Sequence, residues 1–143
     1  MKNLIIDFDQ ISVLMEAGID VMNITGKFQD SIKKSKIING TINAAVTGST
    51  GSLATIEFEP GVVQDLKRAI TRIAPPDIEY EHEKAWHDGN GHSHVQAALL
   101  GPSIALPVRN GCLGLGTWQQ VVIINHDNRA RKRSIDVTVI GIM

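Results

Sequence analysis

The chain has 143 residues, 20% of them charged, and a formal net charge of −1. That length makes one domain, residues 1–143, able to bury roughly two-thirds of its unfolded surface. The near-neutral balance excludes a nucleic-acid binder held by bulk electrostatics, and no apolar run is as long as a membrane span.

The single cysteine, Cys112, excludes an internal disulfide and fits a reducing cytosol. Flanked by Gly111 and Leu113, it reads as a buried, inert thiol. Asp7 and Asp9 follow Leu4-Ile5-Ile6 too soon for a secretory signal, so a cytoplasmic protein is expected. With two Trp, one Tyr and three Phe, the core must be aliphatic.

In chain order, Leu4 to Phe8 reads as a first strand. Ile19 to Ile24 alternates apolar and polar side chains, a strand with one wet face. Thr25 offers an N-cap hydroxyl for a helix over about residues 25–36, with Phe28, Ile32 and Ile37 on one face. Lys33, Lys34 and Lys36 gather at its C-terminal end, where the dipole favours cations. Asn39-Gly40 turns the chain. Strands Thr41–Val46 and Leu53–Phe58 flank the loop Thr47-Gly48-Ser49-Thr50-Gly51-Ser52, the pattern of a hairpin or a related antiparallel link. Pro60 suits a first helical turn. Val62, Leu66, Ile70 and Ile73 give the stripe of a second helix over about residues 60–74, ended by Pro75-Pro76.

Residues 75–91 show no periodicity and read as a long functional loop. Val95 to Leu100 gives one or two helical turns. Ile104 to Val108 is a strand. Trp118 to Asn125 is a central strand, apolar on both faces. Ile135, Val137 and Val139 alternate with Ser134, Asp136 and Thr138 in the last strand. About seven strands and two main helices with local antiparallel links make an α+β fold, a predominantly antiparallel sheet or sandwich, in a single domain.

Tyr80 to Gln119 concentrates chemistry. It holds His82, His87, His92 and His94 and both tryptophans, Trp86 and Trp118. On an extended backbone, residues two apart point the same way, so His92 and His94 meet one ion. His82, His87 or Asp88 then supplies a third ligand and leaves a position open, as in a catalytic metal site. Two loop histidines without a metal satisfy the same spacing. Asn90, in the turn Asp88-Gly89-Asn90-Gly91, is placed to hydrogen-bond a ligand ring, although these dipeptides are turn formers first.

The loop Thr47 to Ser52 has glycines for close backbone approach and hydroxyls for a phosphate, without the lysine or following helix of a P-loop. Gly111 to Gly116 is not GxGxxG and precedes a strand, which excludes a dinucleotide site. Trp118 and Gln119 are candidate pocket walls, or for the tryptophan simply core. Arg131 and Arg133 share the parity of Ile135, Val137 and Val139. That turns them inward toward an anion, or leaves them snorkelling at a rim.

The runs His87-Asp88-Gly89-Asn90-Gly91-His92-Ser93-His94, Leu99-Leu100-Gly101-Pro102-Ser103, Pro107-Val108 and Gly111 to Gln119 stand in a recognisable order. With Ile24-Thr25, Gly40, Glu57, Asp65-Leu66, Pro75 and Arg131-Lys132-Arg133, they resemble the YjbQ family from about Gly18 onward. That family is small, single-domain and described as secondary thiamine-phosphate synthases. The resemblance implies a pyrimidine pyrophosphate that loses pyrophosphate and is captured by the nitrogen of a thiazole phosphate. It also implies a homotrimer with sites near subunit contacts. A divalent metal, zinc or magnesium, and arginines would meet the pyrophosphate. Relatives often carry His-Thr-Thr where this chain has Gly48-Ser49-Thr50, and a glutamate where it has Asn125.

The candidates are therefore Asn90, His94, Gln119 and Arg131 for catalysis. Ser49, Thr50, Gly116, Thr117, Trp118 and Arg133 are candidates for ligand binding, and His82, His92 and His94 for the metal. Two readings stand: this transferase, acting on small phosphorylated metabolites, or a non-catalytic protein that binds a metal and such a metabolite. Neither takes a nucleic-acid or membrane partner.

Overall fold

Side-chain alternation builds two antiparallel sheets. The computed structural model describes residues 2–143. Its elements are β1 (Ile5–Met15), β2 (Asp20–Asn23), α1 (Thr25–Ser35), β3 (Asn39–Val46), β4 (Gly51–Glu57), α2 (Pro60–Ile73), α3 (Glu81–Trp86), α4 (Gly91–Leu100), β5 (Ser103–Arg109), β6 (Cys112–Leu113), β7 (Gln119–Asn125) and β8 (Arg131–Ile142). One sheet has the order β1-β8-β3-β5-β6 and the other β2-β7-β4, every pairing antiparallel. The expected α+β architecture is the one observed, with four helices instead of two. Among the described residues, no helix is long and apolar enough to cross a membrane.

The core lies between the sheets. Ile42, Ala44, Ile135, Val137 and Val139 of the larger sheet meet Leu53, Val121 and Ile123 of the smaller, with Phe28 and Ile32 of α1 closing one side. The opposite face of the smaller sheet, Val122 and Ile124, packs on Ile70, Leu66 and Val63 of α2. This explains why β7 is apolar on both faces: it is covered on both.

Both main helices start and stop for local reasons. Glu59 caps α2, its carboxylate accepting from the N–H groups of Gly61 (2.8 Å) and Val62 (2.9 Å), with Pro60 in the first turn. At α1 the expected N-cap is displaced. Ile24 holds the cap position, Thr25 is already helical, and Asn23 Oδ1 accepts from the Thr25 N–H (3.0 Å). The Thr25 hydroxyl instead accepts from the Val121 N–H (2.8 Å), tying the helix to β7.

Two sequence expectations fail here, and both failures shape the site. First, β3 and β4 do not form a hairpin; they lie in different sheets. The chain leaving α4 fills the gap between them, with Pro102 O accepting from Val46 N–H (2.9 Å) and Gly101 O from Leu53 N–H (3.1 Å). The loop at residues 47–50 therefore sits on the seam between the sheets.

Second, His92-Ser93-His94 is helical rather than extended. The Glu83 carboxylate collects the N–H groups of Gly89 (2.7 Å) and Gly91 (3.1 Å) and anchors the start of α4. Gly91 is required there, because a Cβ would lie 2.5 Å from Tyr80 Cβ.

Phe28 has no exposed surface and sits where α1 meets both sheets. Phe28→Ala should destabilise the fold by about 3–5 kcal/mol in urea unfolding. A loss below about 1 kcal/mol would show that α1 is peripheral to the core.

Candidate anion-binding site

At the seam, β7 runs into three buried polar residues, Asn125, His126 and Asp127, and β8 returns beside them with Arg131 and Arg133. Arg133 is only 5% exposed. Its Nε (3.2 Å) and Nη2 donate to Asn125 Oδ1, and Nη2 also donates to Thr50 Oγ1 (2.6 Å). No carboxylate pairs with it directly. The nearby Asp127 accepts instead from Thr50 Oγ1 (2.9 Å) and Arg131 Nε (3.0 Å). Burial pulls the Arg133 guanidinium below its ordinary pKa; Asp127 opposes that and Arg131 adds to it.

A cavity of about 220 Å³ lies at the seam, lined by Gly48, Ser49, Gly51, His94, Ala97, Ala98 and Pro102; Arg133 does not itself line it but packs against two of these residues, Gly48 and Gly51. Glycine makes room for the guanidinium against this wall. A Cβ on Gly48 would lie 3.2 Å from Arg133 Nη1, and one on Gly51 would lie 3.3 Å from Arg133 Nε. Gly48 has φ +112°, a conformation that L side chains rarely adopt. The N–H groups of Gly48, Ser49 and Thr50 donate to no acceptor among the described residues. Successive free backbone N–H groups are donors that an anion can use.

Behind the cavity lies a network that the sequence did not advertise. His126 has no exposed surface. Its Nδ1 pairs with Gln96 Oε1 (3.0 Å) and its Nε2 with Ser52 Oγ (2.8 Å). A glutamine carbonyl only accepts, so Nδ1 carries the hydrogen and Nε2 accepts from the serine. Burial, then Arg133 and His92, push the imidazole down to about 4. The single Ser93 hydroxyl hydrogen is shared between His126 O (2.7 Å) and Asn90 Oδ1, and Asn90 Oδ1 also accepts from Asn128 N–H (3.2 Å). Asn90 thus clamps the start of α4 to the β7–β8 turn. The only sequence signal for His126 is that it ends an apolar run.

The structure divides the sequence candidates. Ser49 and His94 line the cavity, and Thr50 and Arg133 pair with each other next to its Gly48 and Gly51 wall. Arg131 is near but 43% exposed at its side chain, and it has the carboxylate partner, Asp127, that its sequence position did not suggest. The three-histidine metal set is not assembled. On a helix, residues two apart point about 200° from each other, so His92 and His94 diverge. His94 approaches His82, ring centroids 4.6 Å apart, while His92 turns toward Tyr80. His82 Nε2 is buried without a hydrogen-bond partner, 3.4 Å from Asp88 Oδ1. Among the described residues no group of three or more His, Cys, Asp or Glu side chains is set to hold a metal ion.

Gly116, Thr117, Trp118 and Gln119 stand apart from the cavity. Gln119 pairs with Glu57 at one end of β7 and Asn125 with Gly51 at the other. Six strand steps span roughly 20 Å. Gln119 instead holds its own turn, accepting from Gly116 N–H (3.0 Å) and donating to Thr55 Oγ1 (3.0 Å). Trp118 is 73% exposed and Cys112 is exposed, so neither belongs to the core. Trp118 precedes the covered part of β7, and Cys112 sits on β6, the edge strand of the larger sheet.

Residues 9–142 match the family model described as UPF0047 protein YjbQ-like. A UPF0047 protein of Methanothermobacter thermautotrophicus is 33% identical over 123 residues, 86% of this chain and 84% of that protein. Among solved structures, a YbjQ-like protein of unknown function from Sulfolobus solfataricus P2 superposes with a TM-score of 0.92 at 30% identity, covering 97% of this chain and 99% of that one. A hypothetical protein from Aeropyrum pernix K1 gives a TM-score of 0.87 at 27% identity, covering 94% and 98%.

The buried imidazole has a pH signature. His126 binds its proton at about 4 in the fold, against 6.5 in an exposed chain. Its contribution to stability is complete above pH 6.5 and is lost as pH falls toward 4, because the unfolded chain protonates first. The loss is roughly 3 kcal/mol. Urea midpoints should fall across that window and His126→Gln should flatten the slope. Equal slopes in both proteins would contradict the assignment.

Proposed function

We propose that this chain, which belongs to the YjbQ-like UPF0047 family, binds the phosphate or pyrophosphate group of a small metabolite in the cavity between Gly48 and His94. One observation carries the reading: a guanidinium that is 5% exposed, held by an amide and a hydroxyl, with Nη1 beside a glycine cradle. A buried cation without an anionic partner costs several kcal/mol, roughly 3–5 when a partner is taken away. A phosphate oxygen offsets that cost, and guanidinium geometry suits it. Ser49 and the loop N–H groups would complete the shell. The apolar wall of Ala97, Ala98 and Pro102 is where the rest of the metabolite would rest.

The reaction proposed for this site is the one the family resemblance implies. The bond from the pyrimidine's methylene carbon to pyrophosphate breaks, and the thiazole nitrogen of a thiazole phosphate forms the new bond to that carbon. Arg133 and the loop N–H groups would stabilise charge developing on the departing pyrophosphate. His94 is the only titratable residue lining the cavity and would be the group that exchanges a proton there. A zinc or magnesium ion would find two imidazoles, His82 and His94, not three ligands. No step is therefore assigned to a resident metal, and magnesium would enter only with the pyrophosphate.

A non-catalytic binder is the second reading. The separation of Gln119 from the cavity favours it, because four of the sequence candidates, Gly116, Thr117, Trp118 and Gln119, contribute nothing there within a single chain. A homotrimer is proposed alongside either reading. The outer face of the larger sheet leaves Ile6, Phe8 and Leu14 exposed on β1. Light scattering at micromolar concentration should give three times 15.5 kDa. A monomer there would refute the assembly.

Calorimetric titration with pyrophosphate tests the site. Arg133→Gln should weaken binding by about tenfold or more, whereas Lys132→Ala, exposed on the opposite face of β8, should match the unaltered protein. Equal losses would reduce the site to a diffuse basic surface. Incubation with both phosphorylated substrates then separates the readings: thiamine phosphate and pyrophosphate appear together in one, and saturable binding without product in the other.

A further inference from the structure

The Asn125 side chain faces two environments at once. Its Nδ2 donates to the main-chain carbonyls of Glu16 (2.6 Å) and Arg129 (3.1 Å). Its Oδ1 accepts from Arg133 Nε and Nη2. Two carbonyls on one side and a guanidinium on the other settle which end is which, since only the NH₂ group can serve the carbonyls. An ionised carboxylate here would turn an oxygen against those two carbonyls. The surroundings therefore favour a neutral amide at this fully buried position.

That neutrality decides the charge of the cavity wall. The charged groups that act on Arg133 are Asp127 and Arg131. Asp127 is 1% exposed, and its one carboxylate serves both arginines: Arg131 directly (3.0 Å), Arg133 through the Thr50 hydroxyl (2.9 Å). Two positive charges against one negative leave one positive charge uncompensated. The Asn125 carbonyl and Thr50 hydroxyl hold two of the Arg133 nitrogens, and the third, Nη1, faces the Gly48 cradle. The surplus charge thus lies directly against Gly48, a residue of the cavity wall.

We infer that Asn125 is the residue that makes this cavity selective for anions. It fixes the Arg133 guanidinium without neutralising it, so the cavity takes a phosphate or pyrophosphate and disfavours neutral or cationic analogues of the same metabolite. Asn125 touches no ligand; it acts through Arg133 as a positioning residue. The inference rests on the phosphate reading given above.

Charge-changing variants separate this role from a merely structural one. Asn125→Asp adds a negative charge against Arg133, and Asp127→Asn removes the shared one. Each disturbs the same buried network by one oxygen-for-nitrogen exchange, so a structural role predicts weaker pyrophosphate binding in both. The charge role predicts opposite signs: about tenfold weaker or more for Asn125→Asp, and about threefold tighter or more for Asp127→Asn. Calorimetric titration with pyrophosphate, with thermal unfolding run on each variant, reads both. Weakening in both variants, or no change in Asn125→Asp, overturns the inference while leaving the phosphate reading intact. If Asn125→Asp does not fold, the Asp127→Asn arm decides alone: tighter binding supports the inference, and unchanged or weaker binding overturns it. Absence of saturable pyrophosphate binding in the unaltered protein removes the phosphate reading and this inference together.

Discussion

Arg133 is a buried cation held by neutral groups, and the rest of the seam is arranged around that fact. Its neighbours Asn125, Thr50 and, one hydroxyl further, Asp127 come from β7, the 47–50 loop and the β7–β8 turn. None of these elements is adjacent to all the others in sequence. They meet because β3 and β4 belong to different sheets, which leaves the intervening loop over the end of β7 instead of closing a hairpin. Val46 and Leu53 bond Pro102 and Gly101 and not each other, and the loop between them lies against Arg133 through Gly48 and Gly51.

The helix α4 completes the arrangement from the other side. Its first turn is anchored by Glu83 and clamped by Asn90 and Ser93 to the chain after β7. Its second turn brings Gln96 to His126 and His94 and Ala97 to the cavity. Two polar systems thus lie side by side. One, Ser52–His126–Gln96, is satisfied internally and neutral, and it packs the helix on the sheet. The other, Arg133 with its amide and hydroxyl, is left one anion short. A satisfied buried network rigidifies, and a charged group held in a rigid frame is preorganised for its ligand.

The sequence was most legible where local rules decide the outcome. Alternation found β2 and β8, the apolar run found β7, and the stripes with Pro60 found α1 and α2. It was least legible where distant groups decide. His92 and His94 look like a strand pair until the Glu83 carboxylate, eight residues before Gly91, starts a helix beneath them. Trp118 looks like core because a buried strand follows, but it precedes the covered part of β7. Strand parity turns Arg133 inward, where it is buried, whereas Arg131 at the strand's first position is half-exposed and paired with Asp127. His126 was missed because a histidine ending an apolar run differs in no way from a turn residue until its ring partners are known. The resemblance drew attention to Gly116 through Gln119, yet within one chain that run is a strand's length away from the cavity.

The central claim is that the Arg133 guanidinium is the anion's partner. Nitrogen-15 NMR of the arginine side chains tests it without altering the protein. The Arg133 Nε–H, buried and bonded to Asn125, should be visible at neutral pH and slow to exchange. Pyrophosphate should shift it saturably at one equivalent per chain, while chloride at equal ionic strength leaves it in place. A resonance that does not move as pyrophosphate saturates, or that moves equally with chloride, would contradict the account.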